Sequence, residues 1–299
     1  MTGISVFVGL DLGGTALKAA LVDPNNGISV EGTHVSNTPR TGSPDELAES
    51  LIEAALLVAD GRQVQAVGVG VPGQFDTRSG TLRALPNVPG QWGGFPIRKR
   101  LAEGLGGLPV TLVNDSQAFT LAEALLGAAT ERRTVLGMTL GTGIGGGLCI
   151  GGKIHRGANG AAGEIGHQVI VTDGPACGCG RRGCLEALAK SAVFASLAGA
   201  ATAEEAFEAI RAGDPRAVAA LEVVTGYLGI GLANAISVFD PDVIVVGGGL
   251  AQAGDLLLDP LRVAVKRAVS VVPPASVDIV AGRIGTIAGA VGAALSCIG

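Results

Sequence analysis

The chain has 299 residues, of which 47% are hydrophobic, 16% are charged and 49 are glycine. This length accommodates two domains with separate cores, and the apolar composition excludes a disordered, highly charged chain. The net charge of −5 excludes a broad basic surface for nucleic acid, so we expect any nucleotide to bind at a local site.

The N-terminal residues contain no basic segment followed by an apolar run and a small-residue cleavage site. The longest uncharged stretch, residues 134–152, contains eight glycines, which favours strand, loop and strand over a membrane span. We therefore expect a cytoplasmic protein with no membrane partner.

The first part of the chain is predicted to contain strands, a helix and two further strands. Apolar runs separated by short turns predict a β-meander at the start. A capping box with proline at the first helical position predicts a helix from residue 44 to about residue 60. Two later apolar runs end in turn or polar residues and predict buried strands, the second followed by a helix. The predicted strands are residues 4–12, 16–23, 28–35, 64–71 and 110–113.

Residues 134–155 repeat the opening pattern of apolar strand, glycine turn and apolar strand. An internal duplication is the economical explanation of this repeat. The remaining apolar patterns predict two helices, a short buried strand and a closing helix rich in small residues. These elements are residues 203–211, 215–238, 243–246 and 284–297.

A glycine turn follows the first strand of each repeat. Backbone N–H groups of Gly13, Gly14 and Thr15 can approach a phosphate because glycine carries no side chain. Asp11 could hold Mg²⁺ through water, whereas a glycine hairpin with a capping aspartate is the alternative reading. The second turn, residues 140–147, follows the same logic. The second turn is not followed by Gly-Lys-Ser/Thr, and a strand instead of a helix comes next, which excludes a Walker A loop and a dinucleotide fingerprint.

Asn114 and Asp115 lie where a buried strand meets a predicted helix. From this position an aspartate can accept a hydroxyl proton during phosphoryl transfer. An ordinary helix cap is the alternative and, for this motif alone, the commoner reading. Lys18 is likewise either a solvated strand-edge charge or a neighbour of the phosphates.

The most specific pattern in the sequence is a group of possible metal ligands. His167 is followed after nine residues by Cys177, Cys179 and Cys184, with glycines between the cysteines that permit tight wrapping. One imidazole and three thiolates suit tetrahedral Zn²⁺, and four protein ligands make such a site structural. Free cysteines in a loop are the alternative.

Two glutamates, Glu164 and Glu186, flank this group of ligands. A bound metal would fix both carboxylates in one small pocket, where they suit adjacent hydroxyl groups of a sugar. The alternative for each glutamate is an exposed charge.

With these motifs the chain resembles the ROK family of bacterial sugar kinases and repressors, and within it the ATP-dependent glucokinases. The resemblance covers nearly the whole chain, and the spacing GH-x9-CxCGxxGCxE is too specific for chance. It rests on DLGGT at 11–15, GVPG at 70–73, PNVPGQW at 86–92, ND at 114–115, LGTGIGGG at 140–147, RGANGAAGEIGH at 156–167, CGCGRRGCLE at 177–186 and DPDVIVVGGG at 240–249.

The resemblance implies an α/β fold of the actin-like, ribonuclease-H-like ATPase type, with two lobes from a duplicated unit flanking a cleft. It implies a homodimer. The N-terminal lobe is expected over residues 1–113, joined by the closing helix at about 285–299. The C-terminal lobe with the zinc-binding loop is expected over residues 114–284.

The resemblance also implies phosphorylation of a hexose by ATP, foremost glucose to glucose 6-phosphate, with catalytic Mg²⁺ and structural Zn²⁺. Asp115 is the implied general base. The implied sugar-binding residues are Gly73, Asn87, Asn114, Asp115, Glu164, His167 and Glu186. The implied nucleotide-binding residues are Asp11, Gly13, Gly14, Thr15, Lys18, Thr142, Gly143 and Gly248. The implied zinc ligands are His167, Cys177, Cys179 and Cys184.

Two other functions share these motifs. A kinase for N-acetylmannosamine or N-acetylglucosamine would differ only in the size of its sugar pocket. A sugar-responsive repressor of the same family would carry a DNA-binding domain, for which we expect neither room before Asp11 nor a basic surface.

The chain departs from the family pattern directly after the proposed base. Ser116 and Gln117 stand where Ala and Asn are frequent, and Phe119 replaces a small residue. These differences are expected to change the packing beside the sugar more than the chemistry.

Overall fold

The computed structural model forms two compact units, and each is described by itself. The described residues are 6–25, 27–273 and 276–298. Unit 1 comprises the described residues of 1–127, 153–162 and 284–299, and unit 2 those of 128–152 and 163–283. Unlike the predicted lobes, unit 1 includes residues 114–127 and 153–162. The predicted limits concern the functional lobes, and they stay a prediction.

The elements follow one another as strands and helices in mixed order. The strands are β1 (Val6–Leu12), β2 (Ala16–Asp23), β3 (Ser29–Asn37), β4 (Val64–Val71), β5 (Gln74–Phe75), β6 (Leu82–Ala84), β7 (Val110–Asn114), β8 (Thr134–Leu140), β9 (Ile144–Ile150), β10 (Lys153–Ile154), β11 (Val243–Gly247) and β12 (Asp278–Ala281). The helices are α1 (Pro44–Ala59), α2 (Ile97–Gly104), α3 (Asp115–Leu125), α4 (Leu185–Ala189), α5 (Ser191–Ala198), α6 (Ala203–Arg211), α7 (Pro215–Phe239), α8 (Asp255–Ala268) and α9 (Ala288–Leu295).

A mixed sheet with strand order β3-β2-β1-β4-β7 forms the base of unit 1. The first three strands make the predicted antiparallel meander, whereas β4 runs parallel to both β1 and β7. The C-terminal ends of β1, β4 and β7 therefore meet at one edge of the sheet.

In unit 2 the strands follow the order β9-β8-β11-β12. The β8–β9 pair is an antiparallel hairpin, and β11 runs parallel to both β8 and β12. Each unit thus combines a hairpin with parallel strands, and the predicted repeat of strand, glycine turn and strand is confirmed.

Local sequence explains where the predicted helices begin and end. α1 follows Ser43 and α7 follows Asp214, and each of these side chains accepts a hydrogen bond from the first turn of its helix, which starts with proline. Both helices end at an aspartate in the left-handed conformation, Asp60 and Asp240. The two predicted helices are confirmed, as is α6.

The closing helix α9 completes the core of unit 1 by packing against β1 and β4. A Cβ atom on Gly9 would lie 1.8 Å from Ala290 O, and one on Gly68 would lie 1.8 Å from Ala293 O. Glycine at both positions is therefore required for this close approach. The helix is shorter than predicted, because a 3₁₀ turn, Gly285–Ile287, precedes it.

Unit 2 is organised around α7, whose inward side chains such as Leu228 and Leu232 are fully buried. Among the described residues, α7 is the one helix long and apolar enough to cross a membrane by length and composition. Its buried side chains identify it as the predicted core helix. Buried core helices also meet this criterion of length and composition.

Several elements were absent from the sequence-based prediction, namely α2, α4, α5, α8, β5, β6 and β12. Residues 4 and 5 of the first predicted strand, and residue 299 of the closing segment, lie outside the described residues. The third strand begins at Ser29, one residue later than predicted.

Candidate active site and metal centre

Three neighbouring parallel strands of unit 1 end beside one another, at Leu12, Val71 and Asn114. Asp115 begins α3 directly after the third of these strands, and Gly73 lies in the turn after the second. Ligands of α/β proteins bind outside the carboxyl ends of parallel strands. This edge of unit 1 is therefore a candidate ligand site.

Burial raises the pKa values of two carboxylates at this edge, Asp11 and Asp115. Asp11 pairs with Lys18 across the β1–β2 hairpin, with 3.8 Å between Oδ2 and Nζ. Burial raises the pKa of Asp11 to about 6; Lys18 opposes this shift and the negative charge of Asp115 adds to it. Burial also raises the pKa of Asp115, against hydrogen bonds from Ser116 that lower it. Asp11 and Asp115 are thus close enough to interact.

The cap of α3 is Asn114, not Asp115. The Asn114 side-chain oxygen accepts hydrogen bonds from the N–H groups of Ser116 and Gln117 at 3.0 and 3.2 Å. Asp115 Oδ1 accepts a further bond from Ser116 N–H at 2.7 Å. The alternative reading of Asp115 as the helix cap is therefore wrong.

Two residues from elsewhere in unit 1 lie against the first glycine turn, and one of them, Thr38, holds it by hydrogen bonds. The Thr38 hydroxyl donates to Gly13 O at 2.6 Å, and Thr38 N–H donates to Thr15 O at 3.0 Å. A Cβ on Gly14 would lie 2.9 Å from Asn87 O. The structure thus brings the turn and Asn87 together.

Gly73 and Asn87 lie on adjoining segments, and both have a positive φ, of 93° and 67°. A Cβ on Gly73 would lie 2.4 Å from Cδ of Pro86, the residue before Asn87. A left-handed conformation is uncommon for a residue other than glycine, and such residues cluster at functional sites.

The second glycine turn, in unit 2, contacts a carboxylate from α4. Ile144 N–H donates to Glu186 Oε2 at 3.0 Å, and a Cβ on Gly143 would lie 2.6 Å from the same oxygen. Thr142 is exposed in this turn. Gly248 follows β11 with a φ of 86°, and a Cβ there would lie 2.3 Å from the backbone oxygen that ends β8. Four predicted residues of unit 2 therefore lie around the ends of β8 and β11.

The predicted metal ligands form one cluster in unit 2. One ligand atom from each of His167, Cys177, Cys179 and Cys184 lies within 4.8 Å of all the others. His167 Nδ1 lies 3.7 Å from Cys177 Sγ, and the other two sulfur atoms are 3.6 Å apart. Tetrahedral zinc, with Zn–S of about 2.3 Å and Zn–N of about 2.0–2.1 Å, would separate its ligand atoms by about 3.5–3.8 Å. The donor set and its spacing therefore fit Zn²⁺.

The two predicted glutamates are related to this cluster in different ways. Glu186 Oε1 lies 3.7 Å from Cys177 Sγ, while its other oxygen accepts the hydrogen bond from the glycine turn. Glu164 directly precedes the 3₁₀ turn Ile165–His167, which ends at the metal-ligand candidate His167. Glu186 thus lies beside the cluster, whereas Glu164 is joined to it through the chain, three residues before His167.

Burial raises the pKa of the Cys177 thiol, and it raises that of Cys184 to about 12. A hydrogen bond from the Arg181 backbone is the main cause of the lowered pKa of Cys179. Binding of a metal ion requires thiolates and therefore releases protons from such a cluster.

Two residues near Asp11 were missed by the sequence-based reading. Thr38 holds the first turn by the bonds given above, and a Cβ on Gly289 would lie 2.6 Å from Asp11 Cγ. Gly289 carried a weak signal, because its segment is rich in small residues, but the sequence did not identify its partner. Thr38 carried none.

The chain has clear relatives among known proteins. The sequence model described as the ROK family matches residues 7–298. The glucokinase of Thermotoga maritima is 35% identical over 309 aligned positions, which cover 96% of this chain and 95% of that protein. The N-acetyl-D-glucosamine kinase of Citrobacter koseri is 34% identical and covers 83% of this chain and 85% of its own length.

Solved structures resemble the chain over nearly its whole length. The ROK hexokinase of Thermus thermophilus gives a TM-score of 0.84 at 39% identity and covers 97% of both chains. The ROK family glucokinase of Streptomyces griseus, solved with glucose and AMPPNP, gives 0.82 at 33% identity over 98% of this chain and 100% of that one. These similarities confirm the predicted α/β, actin-like fold of two lobes.

Proposed function

This chain belongs to the ROK family, and from this membership we propose that it is an ATP-dependent hexose kinase that converts glucose to glucose 6-phosphate. The observation that carries the proposal is the position of Asp115, at a strand end of unit 1 and close to Asp11 beside the glycine turn. Whole-length similarity to proteins named glucokinase and hexokinase supports the choice of reaction and sugar.

Asp115 acts as the general base. Its carboxylate accepts the proton of the sugar hydroxyl while the hydroxyl oxygen forms a bond to the γ-phosphorus of ATP. The bond from this phosphorus to the bridging oxygen breaks, and ADP leaves with that oxygen. The raised pKa of Asp115 makes its carboxylate a stronger base than an exposed aspartate.

In each unit the glycine turn is assigned to phosphate binding through backbone N–H groups, since glycine lets a phosphate come close. Asp11 would hold Mg²⁺ through water, and this ion supplies neutralisation of the developing charge. Lys18, paired with Asp11, adds a positive charge at the same turn. The residues assigned to the nucleotide are Asp11, Gly13, Gly14, Thr15, Lys18, Thr142, Gly143 and Gly248.

The sugar is held by polar groups from the segments described above. His167 has Nδ1 directed to Cys177, which leaves Nε2 for a sugar hydroxyl. Zn²⁺ would be held by the four-residue cluster and supplies a structural staple for the flanking acids. The residues assigned to the sugar are Gly73, Asn87, Asn114, Asp115, Glu164, His167 and Glu186.

We also infer a cytoplasmic homodimer, on family resemblance, with no nucleic-acid or membrane partner. A kinase for an N-acetylated hexosamine is the second candidate, and it is supported by the relative of that activity in Citrobacter koseri.

A coupled assay of ADP release over a panel of sugars tests the reaction and its substrate. We expect the highest kcat/KM with glucose, compared with mannose, N-acetylglucosamine and N-acetylmannosamine. Preference for an acetylated sugar would select the second candidate. Absence of transfer to every sugar would contradict the kinase assignment.

The role of Asp115 is tested by Asp115→Asn. We expect kcat to fall by about 10²–10⁴-fold, the usual contribution of a general base. Tm should not fall, because the substitution also removes the cost of burying the ionised carboxylate. Asp76→Asn is the control, because Asp76 is an aspartate of the same unit that pairs with exposed Arg83 at 3.0 Å. If the Asp115 variant retained more than about a tenth of the turnover, the base assignment would fail.

Metal analysis tests the zinc assignment. Purified protein should contain about one zinc per chain, and a chelator should weaken sugar binding before it unfolds the protein. Fully active protein without zinc would refute the assignment.

A further inference from the structure

A loop of unit 1, residues 156–162, ends two residues before Glu164, which is assigned to the sugar. The loop closes on itself, because Ala162 N–H donates to Arg156 O at 3.2 Å. Two of its glycines have φ of 69° and 79°, a conformation that favours glycine. The loop is therefore a defined turn that leads directly into the sugar-binding segment.

Two side chains attach this loop to the elements on either side of Asp115. Gln117 Nε2, in the first turn of α3, donates to Gly160 O at 3.0 Å and to Ala162 O at 3.1 Å. Arg156 Nη1 donates to a carbonyl oxygen of β7 at 2.8 Å. The loop is thus fixed both to the strand before Asp115 and to the helix after it.

The Gln117 amide is buried and matches the two acceptors in the loop. The residue is 2% exposed, so water does not compete for its two hydrogen bonds. Both acceptors are carbonyl oxygens, which require a donor side chain and would repel a carboxylate. The backbone N–H of Gln117 is itself bonded to Asn114, which fixes the start of the helix.

The length of the side chain also matters. Asparagine, frequent at this position in the resembling family, is shorter by one carbon–carbon bond, about 1.5 Å. From the same backbone position its amide does not reach both carbonyl oxygens without a movement of the loop.

We propose that Gln117 is a positioning residue that fixes the residues before Glu164 to the helix that begins with Asp115, and thereby sets the affinity for the hexose. This inference rests on the proposed function, in which Glu164 binds the sugar. Phosphoryl transfer depends chiefly on positioning, and a displacement of about 1 Å can cost about 10²-fold in rate. Gln117 itself contacts no reacting atom.

Steady-state kinetics of Gln117→Met test the proposal, because methionine keeps the length and removes the donor. We expect KM for glucose to rise about tenfold, while KM for ATP changes by less than about twofold. Gln117→Asn should give an intermediate KM and covers the case in which the methionine variant does not fold. The matched control is Thr120→Val, since Thr120 is buried on the same helix and donates only within it, to Ser116 O at 2.7 Å.

Hydrogen exchange of the unliganded protein gives a readout that does not depend on activity. The Ala162 amide should exchange faster in Gln117→Met and at the wild-type rate in Thr120→Val. Unchanged exchange would overturn the attachment, and faster exchange with a wild-type KM for glucose would overturn the positioning role. A wild-type protein inactive on every sugar would contradict the proposed function instead, and exchange would still decide the attachment.

Discussion

The two glycine turns come from equivalent parts of the repeat, but the charged side chains beside them come from different places in the chain. In unit 1 the cross-strand pair one residue before the end of β1 is Asp11 and Lys18, whereas the corresponding pair, one residue before the end of β8, is Thr139 and Gly145. The second turn receives its carboxylate from outside the hairpin, because Glu186 of α4 accepts one of its N–H groups.

This difference indicates what a duplicated hairpin retains. Both copies keep a short glycine turn closed by a backbone hydrogen bond, from Gly13 N–H to Ala16 O in the first and from Gly141 N–H to Gly143 O in the second. The source of the charge differs between the copies. The first hairpin has its own acid, the half-buried Asp11, whereas the acid beside the second turn, Glu186, comes from the segment next to the candidate metal ligands. We therefore expect substitutions at equivalent positions to have unequal effects.

We expect the largest difference in activity between equivalent positions of the two hairpins when Asp11 is substituted. Asp11→Asn removes the negative charge that we assign to Mg²⁺ binding. We expect kcat/KM for ATP to fall by about 10²–10³-fold, the size of effect seen when a preorganised electrostatic contact is lost. Thr139→Val, in the second hairpin, should change it by less than about fivefold. Similar losses in both variants would contradict a special role for the first hairpin.

The same Asp11 variant should be more stable than the wild type near neutral pH. Burial raises the pKa of Asp11 from 3.8 to about 6, so the folded chain disfavours the ionised form. Stability from this group is therefore highest at low pH and is lost as pH rises from about 4 to 6. We expect Asp11→Asn to raise the free energy of unfolding by about 1–2 kcal/mol at pH 7, less at pH 4, in urea denaturation. A destabilised variant at pH 7 would show that the pair with Lys18 outweighs burial.

An intermediate effect is expected at Glu186, where two substitutions separate two roles. Glu186→Gln keeps an acceptor for the turn but removes the charge, so KM for glucose should rise about tenfold with little loss of stability. Glu186→Ala also leaves the Ile144 N–H without this acceptor, which should cost a further 1–3 kcal/mol or so in thermal unfolding. Equal stability of the two variants would mean that the turn does not depend on this acid.

The smallest effect is expected from added methyl groups in the turns. A Cβ on Gly14 would lie 2.9 Å from Asn87 O, whereas the nearest atom to a Cβ on Gly141 is 4.0 Å away. Gly14→Ala should therefore destabilise the protein by about 1–3 kcal/mol, and Gly141→Ala by less than about 1 kcal/mol. Thermal unfolding of both variants checks this order.

The sequence predicts best where the signal is local. The caps and prolines of α1 and α7 lie next to the helices they start, and the four candidate zinc ligands are close in the chain. By contrast, α2 and α8 have no side-chain cap hydrogen bond, and α8 contains Pro260, so both lacked the signals used for prediction.

Parts of the candidate site were not predicted, because their residues are far apart in the sequence. The bond from Thr38 to Gly13 joins residues 25 apart, and the bond from Ile144 to Glu186 joins residues 42 apart. Such contacts follow from tertiary packing, which one sequence does not reveal. The individual roles assigned to the site residues stay predictions until the variants above are measured.

The closing helix α9 has a consequence for synthesis of the protein on the ribosome. The β1 and β4 face that it covers is made early, but α9 begins only at Ala288. At roughly 5–20 residues per second, the nascent sheet waits on the order of ten seconds or more for its last partner. During that interval the face of the sheet that α9 will cover lacks this partner, so the unit whose strands are translated first is completed last.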